Sequence, residues 1–541
     1  MNGLDWLIIL LYLGGIVVFS VWLSRKQADM QDYYLAGRTI KWWQSGASTM
    51  ATQLSAVSFV SAPAFVALKQ GGGLKWLSYE FAVPLALILV MAIIIPVFHR
   101  HKVISIYEFL EQRFDAGTRT LVSALFQLGR GLATAVAVLA GGLILSTALG
   151  ITTVQAILLI GLITVIYDAL GGIRIVILSD FFQMLIILLG IVVTAGVALD
   201  IVGWQQVWQT FPAERLQIID LHHWGISSQG TYAFWPMLIG GFFLYASYYG
   251  CDQSQVQREL SVGKVDDVRK SLLVNAFGRF PLVLMYTMMG VFVGVLVMSD
   301  HGLQTIGQAL NMSPEAVRHT LQANPDRMVP MFIVSYLPHG LIGFIFVAIM
   351  AALMSSLDSG INSLSAVTMK DIYQRYLKPQ ASQRHYLVAS KLITFLWGVF
   401  CIAVAIALAD TGDAVRQTSI VLINAVGSML YGPILAAFLL AIFSDGLNGR
   451  SVRTGIIFGI LFNGWLWLFT SVSWMWWNAT GFLATGFVSL TVEYAQRNRI
   501  QWRLRPLREE TSFRWRRVYL LVAGYFMLII LLTYWIEQGL L

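Results

Sequence analysis

Residues 354–365 read MSSLDSGINSLS. Seven of these twelve positions are polar (Ser355, Ser356, Asp358, Ser359, Asn362, Ser363 and Ser365), inside an otherwise apolar stretch. Hydroxyl and carbonyl oxygens are hard ligands, and by the reasoning that gives oxygen ligands to Ca²⁺ and Mg²⁺ they suit a hard monovalent cation such as Na⁺. A site of two hydroxyls and three carbonyls carries no formal charge, so it binds such an ion weakly enough to release it. Ser355, Ser359 and Asn362 share one helical face at three- and four-residue spacing, and Ser356 and Ser363 lie on the adjacent side. The competing reading is local: each serine bonds back to the carbonyl four residues earlier and does nothing else.

A second stretch raises the same question. Ser45 to Gly73, SGASTMATQLSAVSFVSAPAFVALKQGGG, is long enough to cross a membrane but rich in Ser, Thr and small residues, with Pro63 in its second half. It reads either as a closely packed helix or as an interrupted helix lining a cavity. Where a helix breaks, its carbonyls lose partners and become available to a cation, and broken helices near the midplane are the usual ion and substrate sites of secondary transporters.

Further polar and charged residues are costly in hydrocarbon. Asp180 falls about a turn and a half inside a span, where a carboxylate must be paired, protonated or ion-bound. Asp168, beside Gly171 and Gly172, reads as a residue of the cytosolic interface. Glu80 opens a span as an interfacial carboxylate or a solute contact. Arg130 and Arg279 either pair with Asp180 or snorkel. Asp252, Gln253, Gln255 and Gln257 form a loop or the lining of a pathway.

No enzyme pattern emerges. KQGGGLKW lacks phosphate-loop spacing, and GGIRI follows no strand and lacks the lysine. His222 and His223 have no partner ligands nearby in sequence. With no ATP-binding pattern, uphill transport has to draw on an ion gradient.

The elements that position these residues are membrane helices. Of 541 residues 57% are hydrophobic and 12% charged, half the charged share of a soluble domain, about 25%. The apolar residues come in blocks long enough to span a bilayer. The first, Trp6 to Leu23, lacks the basic flank and small-residue cleavage site of a signal peptide, so it reads as a first span. We count about fourteen spans in an all-α polytopic protein with no soluble domain. With the N-terminus outside, the cytosolic loops hold 28 of the 36 basic residues, which the positive-inside rule requires. Among them are Arg25, Lys26, Arg258 and the segment QRNRIQWRLRPLREETSFRWRR; Arg416 falls on the opposite side. Both termini then face outside. The net charge of +8 is therefore topological. The aromatic-interleaved arginines lie on anionic lipid headgroups rather than on nucleic acid. Cys251 and Cys401, far apart, form no disulfide framework.

In ordered motifs the chain resembles the sodium:solute symporter family, in its sodium–sugar cotransporter group. The motifs are DYYLAGR after the first span, YEFLEQRF after the third, YDALGGIRIVILSDFFQ joining the fifth and sixth, DQSQVQREL after the seventh and SSLDSGINSLSAVTMKDIY closing the ninth. The resemblance implies one transporter domain over 1–541 with two inverted five-helix repeats, 43–199 and 230–442, and extra helices over 452–541. It implies a sodium site made of the carbonyls of Ala51, Leu54 and Ala352 and the hydroxyls of Ser355 and Ser356. It makes Asp180 and Ser359 a second sodium position or part of the ion path. Gln53, Ser58 and Glu80 become solute contacts. The sugar group's Glu-Gln pair is here Val57 and Ser58, so glucose and galactose do not follow. The expected partners are sodium, a small polar organic solute and membrane lipid, in a plasma membrane of the bacterial inner-membrane type. No cofactor is expected, with sodium as the coupling ion. The rival readings are a symporter for a carboxylate, amino acid or vitamin, and a proton-coupled carrier or passive facilitator.

Overall fold

The computed structural model describes residues 1–24, 27–227, 230–409, 419–496, 500–502 and 513–540. Arg25, Lys26, Arg416 and much of the arginine-rich segment, on which the charge bias partly rests, lie outside the described residues. Within them the regular structure is helical apart from a two-residue antiparallel pair, Ser444–Asp445 with Gln501–Trp502, and an isolated parallel bridge between Ile40 and Val262.

Among the described residues ten helices are long and apolar enough to cross a membrane, eleven when one bent pair is taken as a single span. The helices, in order, are α1 (Gly3–Ser24), the bent pair α2 (Trp42–Gln53) and α3 (Ala56–Ala67), α4 (Leu74–His101), α5 (Ala116–Leu149) and α6 (Thr153–Val202). Then come α7 (Gly241–Cys251), α8 (Gln253–Leu260), α9 (Val265–Met298), α10 (Leu341–Val367) and α11 (Gln383–Ala409). The remainder are α12 (Ser419–Phe443), α13 (Gly449–Phe469), α14 (Trp476–Ala495) and α15 (Phe513–Leu540).

Local chemistry sets several of these boundaries. Asp115 caps α5 by accepting the Thr118 N–H at 2.7 Å, and Thr152 and Gln155 form a reciprocal capping box at the start of α6. At 50 residues α6 would be about 75 Å long if straight, far beyond the roughly 30 Å of a hydrocarbon core. It is not straight. Gly172 breaks it with φ 58° and ψ −161°, and a Cβ there would stand 2.5 Å from the Tyr33 carbonyl oxygen. Only glycine fits that turn.

α10 is the central strut. It packs on α6, α5, α1 and α11 and touches α2 and α3, and nearly every residue from Ile345 to Val367 is buried. The outer helices show the opposite pattern. Leu10 and Leu11 on α1, Leu396 on α11, and Leu520 and Leu528 on α15 are well exposed. Apolar side chains facing outward all round the bundle are what lipid requires and water would penalise. The result is an all-α, multi-pass membrane protein, packed in keeping with an inverted-repeat core.

Two further breaks lie in the interior. Between α2 and α3, Leu54 (φ −93°, ψ 79°) and Ser55 (φ −81°, ψ 170°) leave the helical region, and the axis bends by 52°. Between α7 and α8, Asp252 (φ −100°, ψ 120°) does the same.

Candidate functional site

The first break is built from small residues against α10. At the end of α2 the Leu54 N–H closes on the carbonyls of Met50 and Ala51, at 3.2 and 3.0 Å. The last carbonyls of α2 then lie beside the serines of α10. Ser355 Oγ lies 3.3 Å from the Ala51 carbonyl oxygen and 3.2 Å from that of Ala352. Ser356 Oγ lies 3.3 Å from the Thr52 carbonyl oxygen and 3.2 Å from that of Ala352. Five oxygens thus meet with two hydroxyl protons to share among four close approaches. Of the five expected ligands the structure gathers Ala51, Ala352, Ser355 and Ser356. Leu54 stands at the break itself, buried, and Thr52 supplies a carbonyl that the sequence reading did not name.

The other polar residues of the motif have separate work. Ser363 bonds back to the Gly360 carbonyl at 2.8 Å, and Ser365 meets the hydroxyl of Tyr34 at 2.7 Å. Asn362 donates to Asp168 Oδ1 at 2.8 Å, and Tyr167 donates to Asp358 Oδ2 at 2.5 Å. Back-bonding to the carbonyl four residues earlier is present at Ser356 and Ser359, and three residues earlier at Ser363, but Ser355 and Ser356 also reach the Ala51 and Thr52 carbonyls across the break, so the oxygen cradle forms around them.

Ser359 links the cradle to a buried ion pair. Its hydroxyl is 2.5 Å from the Ser355 carbonyl oxygen and 3.0 Å from the Thr52 hydroxyl, and Arg258 Nη2 donates to it. Arg258 also donates to Asp180 Oδ2 at 3.1 Å and to Ser48 Oγ at 2.7 Å, while Ser48 donates to Asp180 Oδ2 at 2.5 Å. Asp180 and Ser359 are thus brought together, and the group that joins them is a guanidinium.

Three expectations need correction here. Arg258 is not in a cytosolic loop: it is 1% exposed, on α8 after the second break. Asp168, read as an interface residue, is fully buried within the protein, four residues before the turn at Gly172. Neither Arg130 nor Arg279 pairs with Asp180. Arg130 forms an ion pair with Asp252, and Arg279 holds Glu80 with Nε to Oε2 at 3.0 Å and Nη2 to Oε1 at 3.3 Å. Each guanidinium sits with a carboxylate because an unpaired charge at this depth is costly.

A cavity of about 140 Å³ adjoins the cradle, smaller than pockets for drug-sized molecules, about 300–1,000 Å³. The expected solute contacts Gln53, Ser58 and Glu80 all line it, together with Thr52 and Ser356 of the cradle. Gln53 accepts the Tyr249 hydroxyl at 3.1 Å. The sequence reading missed the aromatic wall. Tyr79 and Tyr245 lie 5.0 Å apart and Tyr248 and Tyr431 6.0 Å apart, with the Arg130 guanidinium 5.4 Å from the Tyr248 ring. The signal was present in SYYGCD, two adjacent tyrosines ahead of a polar run.

Comparison with known proteins gives this geometry its context. The sodium:solute symporter family profile matches residues 33–459. The chain belongs to the sodium:solute symporter family. A sodium/glucose cotransporter of Vibrio parahaemolyticus is 27% identical over 479 residues, covering 85% of this chain and 84% of its own. A sodium/sialic acid symporter of Proteus mirabilis (strain HI4320) is 29% identical over 456 residues, covering 83% and 86%. Among solved structures, the substrate-bound outward-open state of a Na⁺-coupled sialic acid symporter superposes with a TM-score of 0.81 at 25% identity, over 92% of this chain and 99% of that one. This symporter is accordingly a sodium-coupled secondary transporter of a small polar organic solute, working by alternating access, and not an enzyme.

Proposed function

We propose that the chain imports a sugar or a sugar-like polyol or acid together with sodium bound at the first helix break. The observation that carries this reading is the oxygen cradle. The carbonyls of Ala51, Thr52 and Ala352 converge on the hydroxyls of Ser355 and Ser356 at 3.2–3.3 Å, a set of neutral oxygen ligands that suits a monovalent cation. The ligands are the carbonyls of Ala51, Leu54 and Ala352 and the hydroxyls of Ser355 and Ser356, with the Thr52 carbonyl beside them. Asp180 and Ser359 form a second sodium position or the ion's path. Gln53, Ser58 and Glu80 receive the solute in the adjoining cavity. The sugar and sialic acid carriers among the relatives support a sugar-like solute.

The architecture behind this reading has fourteen crossings. To the helices already long enough it adds the two halves of α6 about Gly172, the α7 span, and α14. The two breaks then fall in the first helices of the repeats 43–199 and 230–442, the positions where transporter repeats interrupt their helices, and 452–541 supplies the extra helices. The basic loops support both termini outside, in a plasma membrane of the bacterial inner-membrane type.

Sodium entering from outside orders the broken helix. The cavity shares Thr52 and Ser356 with the cradle, so bound ion tightens solute, and solute must tighten ion by the same factor. Rocking of the repeats then exposes both to the cytosol. The membrane potential contributes about 2.3 kcal/mol per charge per 100 mV.

The test is uptake into proteoliposomes of a panel of labelled sugars, polyols, sugar acids and amino acids, under inward sodium or potassium gradients. Accumulation of a sugar-like solute with sodium only is the expected result. Equal uptake with either cation would remove sodium from the mechanism.

A further inference from the structure

Three of the ordered motifs meet outside the site described above. YEFLEQRF supplies Glu108 and Glu111, the end of SSLDSGINSLSAVTMKDIY supplies Lys370 and Asp371, and DQSQVQREL supplies Gln253. We infer that segment 104–111 is a latch on the cytosolic side: it seats on a charged platform made by the start of α5 and the tail of α10, and it lifts off when the solute is released. The inference rests on the repeats and the membrane orientation of the proposed function, and it assigns the barrier that alternating access requires on that side.

The platform is a buried ion pair. Arg119, near the start of α5, donates through Nε to Asp371 Oδ1 at 3.0 Å and through Nη2 to the Lys370 carbonyl at 3.2 Å. Arg119 is 8% and Asp371 3% exposed, so this pair stays together. Past Val367 α10 winds as a π-helix, Thr368–Leu377, a winding frequent at functional sites. The segment seats on this platform through its polar side chains. Ser105 Oγ donates to Asp371 Oδ2 at 2.9 Å, and Glu108 Oε2 lies 3.7 Å from Lys370 Nζ. Glu111 accepts Arg119 Nη1 at 2.7 Å and Arg375 Nη2 at 2.5 Å. The contacts to Lys370, Asp371 and Arg375 cross from the first repeat to the second.

Water separates these contacts from the ion pairs deep in the bundle. The side chains of Glu111 and Arg375 keep 30% and 23% of their exposure. When they part, each regains water, and such pairs are individually weak. Glu80 and Arg279, at 0% and 8%, would be stranded by separation. A barrier that opens at every turnover needs the first kind. The second helix break supplies the pull. Gln253, the first residue after it, accepts the Ile106 N–H at 3.0 Å and donates to the Ile104 carbonyl at 2.8 Å, so movement of the break carries the segment with it. Behind the segment lies a second cavity of about 30 Å³, which shares Arg130, Ala133 and Tyr431 with the solute cavity. Tyr107 of the segment packs at 5.5 Å on Phe126 of its lining, and the buried Cys251 lines it too. Release then runs past Cys251 and out beneath the latch.

The test is the rate at which N-ethylmaleimide alkylates Cys251 in the purified full-length protein carrying Cys401→Ala, which leaves Cys251 as the single thiol. In potassium, Glu111→Gln and Arg375→Gln should each raise the rate about fivefold over that parent, with the unfolding temperature near the parent's. Unchanged rates in both variants would overturn the inference. So would rates that rise only together with a fall in unfolding temperature, the pattern of a merely structural pair. Sodium should slow alkylation of the variants, because an ion that favours the outward-open state recloses the latch. Fast alkylation of both variants that is equal in sodium and potassium would leave the latch standing and overturn the sodium-bound reading of the first break instead.

Discussion

The two helix breaks are alike in backbone and opposite in chemistry. At Leu54 and Ser55 the freed groups face carbonyls and hydroxyls, and no formal charge belongs to the cradle. At Asp252 the break is held by charge: Asp252 pairs with Arg130 and caps Ser254, and six residues on Arg258 pairs with Asp180. The two also touch. Ser45 on α2 donates to the Arg258 carbonyl at 3.2 Å, and Ser48 sits between Arg258 and Asp180. A neutral site can gain and lose a cation at each turnover with little penalty. A paired site cannot lose a partner without stranding the other. Under the proposed function, ion exchange takes place at the first break, while the paired charges beside the second hold the fold together.

Removing one side of the anchorage should have the largest effect. Arg258→Ala leaves Asp180 alone in the bundle, at a cost of about 3–5 kcal/mol. We expect severe loss of folded protein by size exclusion, partly restored by adding Asp180→Asn. Wild-type stability in the single variant would break the contrast. At the first break the expected effect is on function rather than on fold. Ser355→Ala and Ser356→Ala should each raise the sodium concentration for half-maximal uptake about tenfold, with unfolding temperature in sodium-free buffer near wild type. The smallest effect sharpens the boundary between the two. Ser254→Ala removes one hydroxyl from the Asp252 cap and should cost about 1 kcal/mol, read as a small drop in unfolding temperature with unchanged sodium dependence.

How much of this was legible in the sequence follows from the same contrast. Ser355, Ser356 and the small-residue stretch around Leu54 stood out because hydroxyls and broken backbone are conspicuous in hydrocarbon, while the particular set of ligands followed from the family resemblance. The all-helical, multi-pass bundle was readable from the apolar blocks for the same reason. The ion pairs were not. Glu80 and Arg279 are 199 residues apart, Arg130 and Asp252 122, and Asp180 and Arg258 78. Nothing in a linear pattern says which buried acid meets which guanidinium. Arg258 was misplaced because QREL, rich in charge, reads as a loop, whereas its charge is neutralised by a distant span. Asp168 was misplaced because its neighbours Gly171 and Gly172 read as a helix end, although the turn they make lies against Tyr33 in the interior. The Thr52 carbonyl beside Ser356 was missed because it is absent from the set the resemblance implies and a carbonyl leaves no trace in side-chain identity.

The central claim is that sodium binds at the neutral break. Equilibrium binding of ²²Na⁺ to the purified protein without solute tests it most directly, comparing wild type with the Ser355→Ala/Ser356→Ala double variant. The account predicts a saturable sodium site in wild type that is lost from the folded double variant. Binding of the same affinity and capacity in both would contradict it.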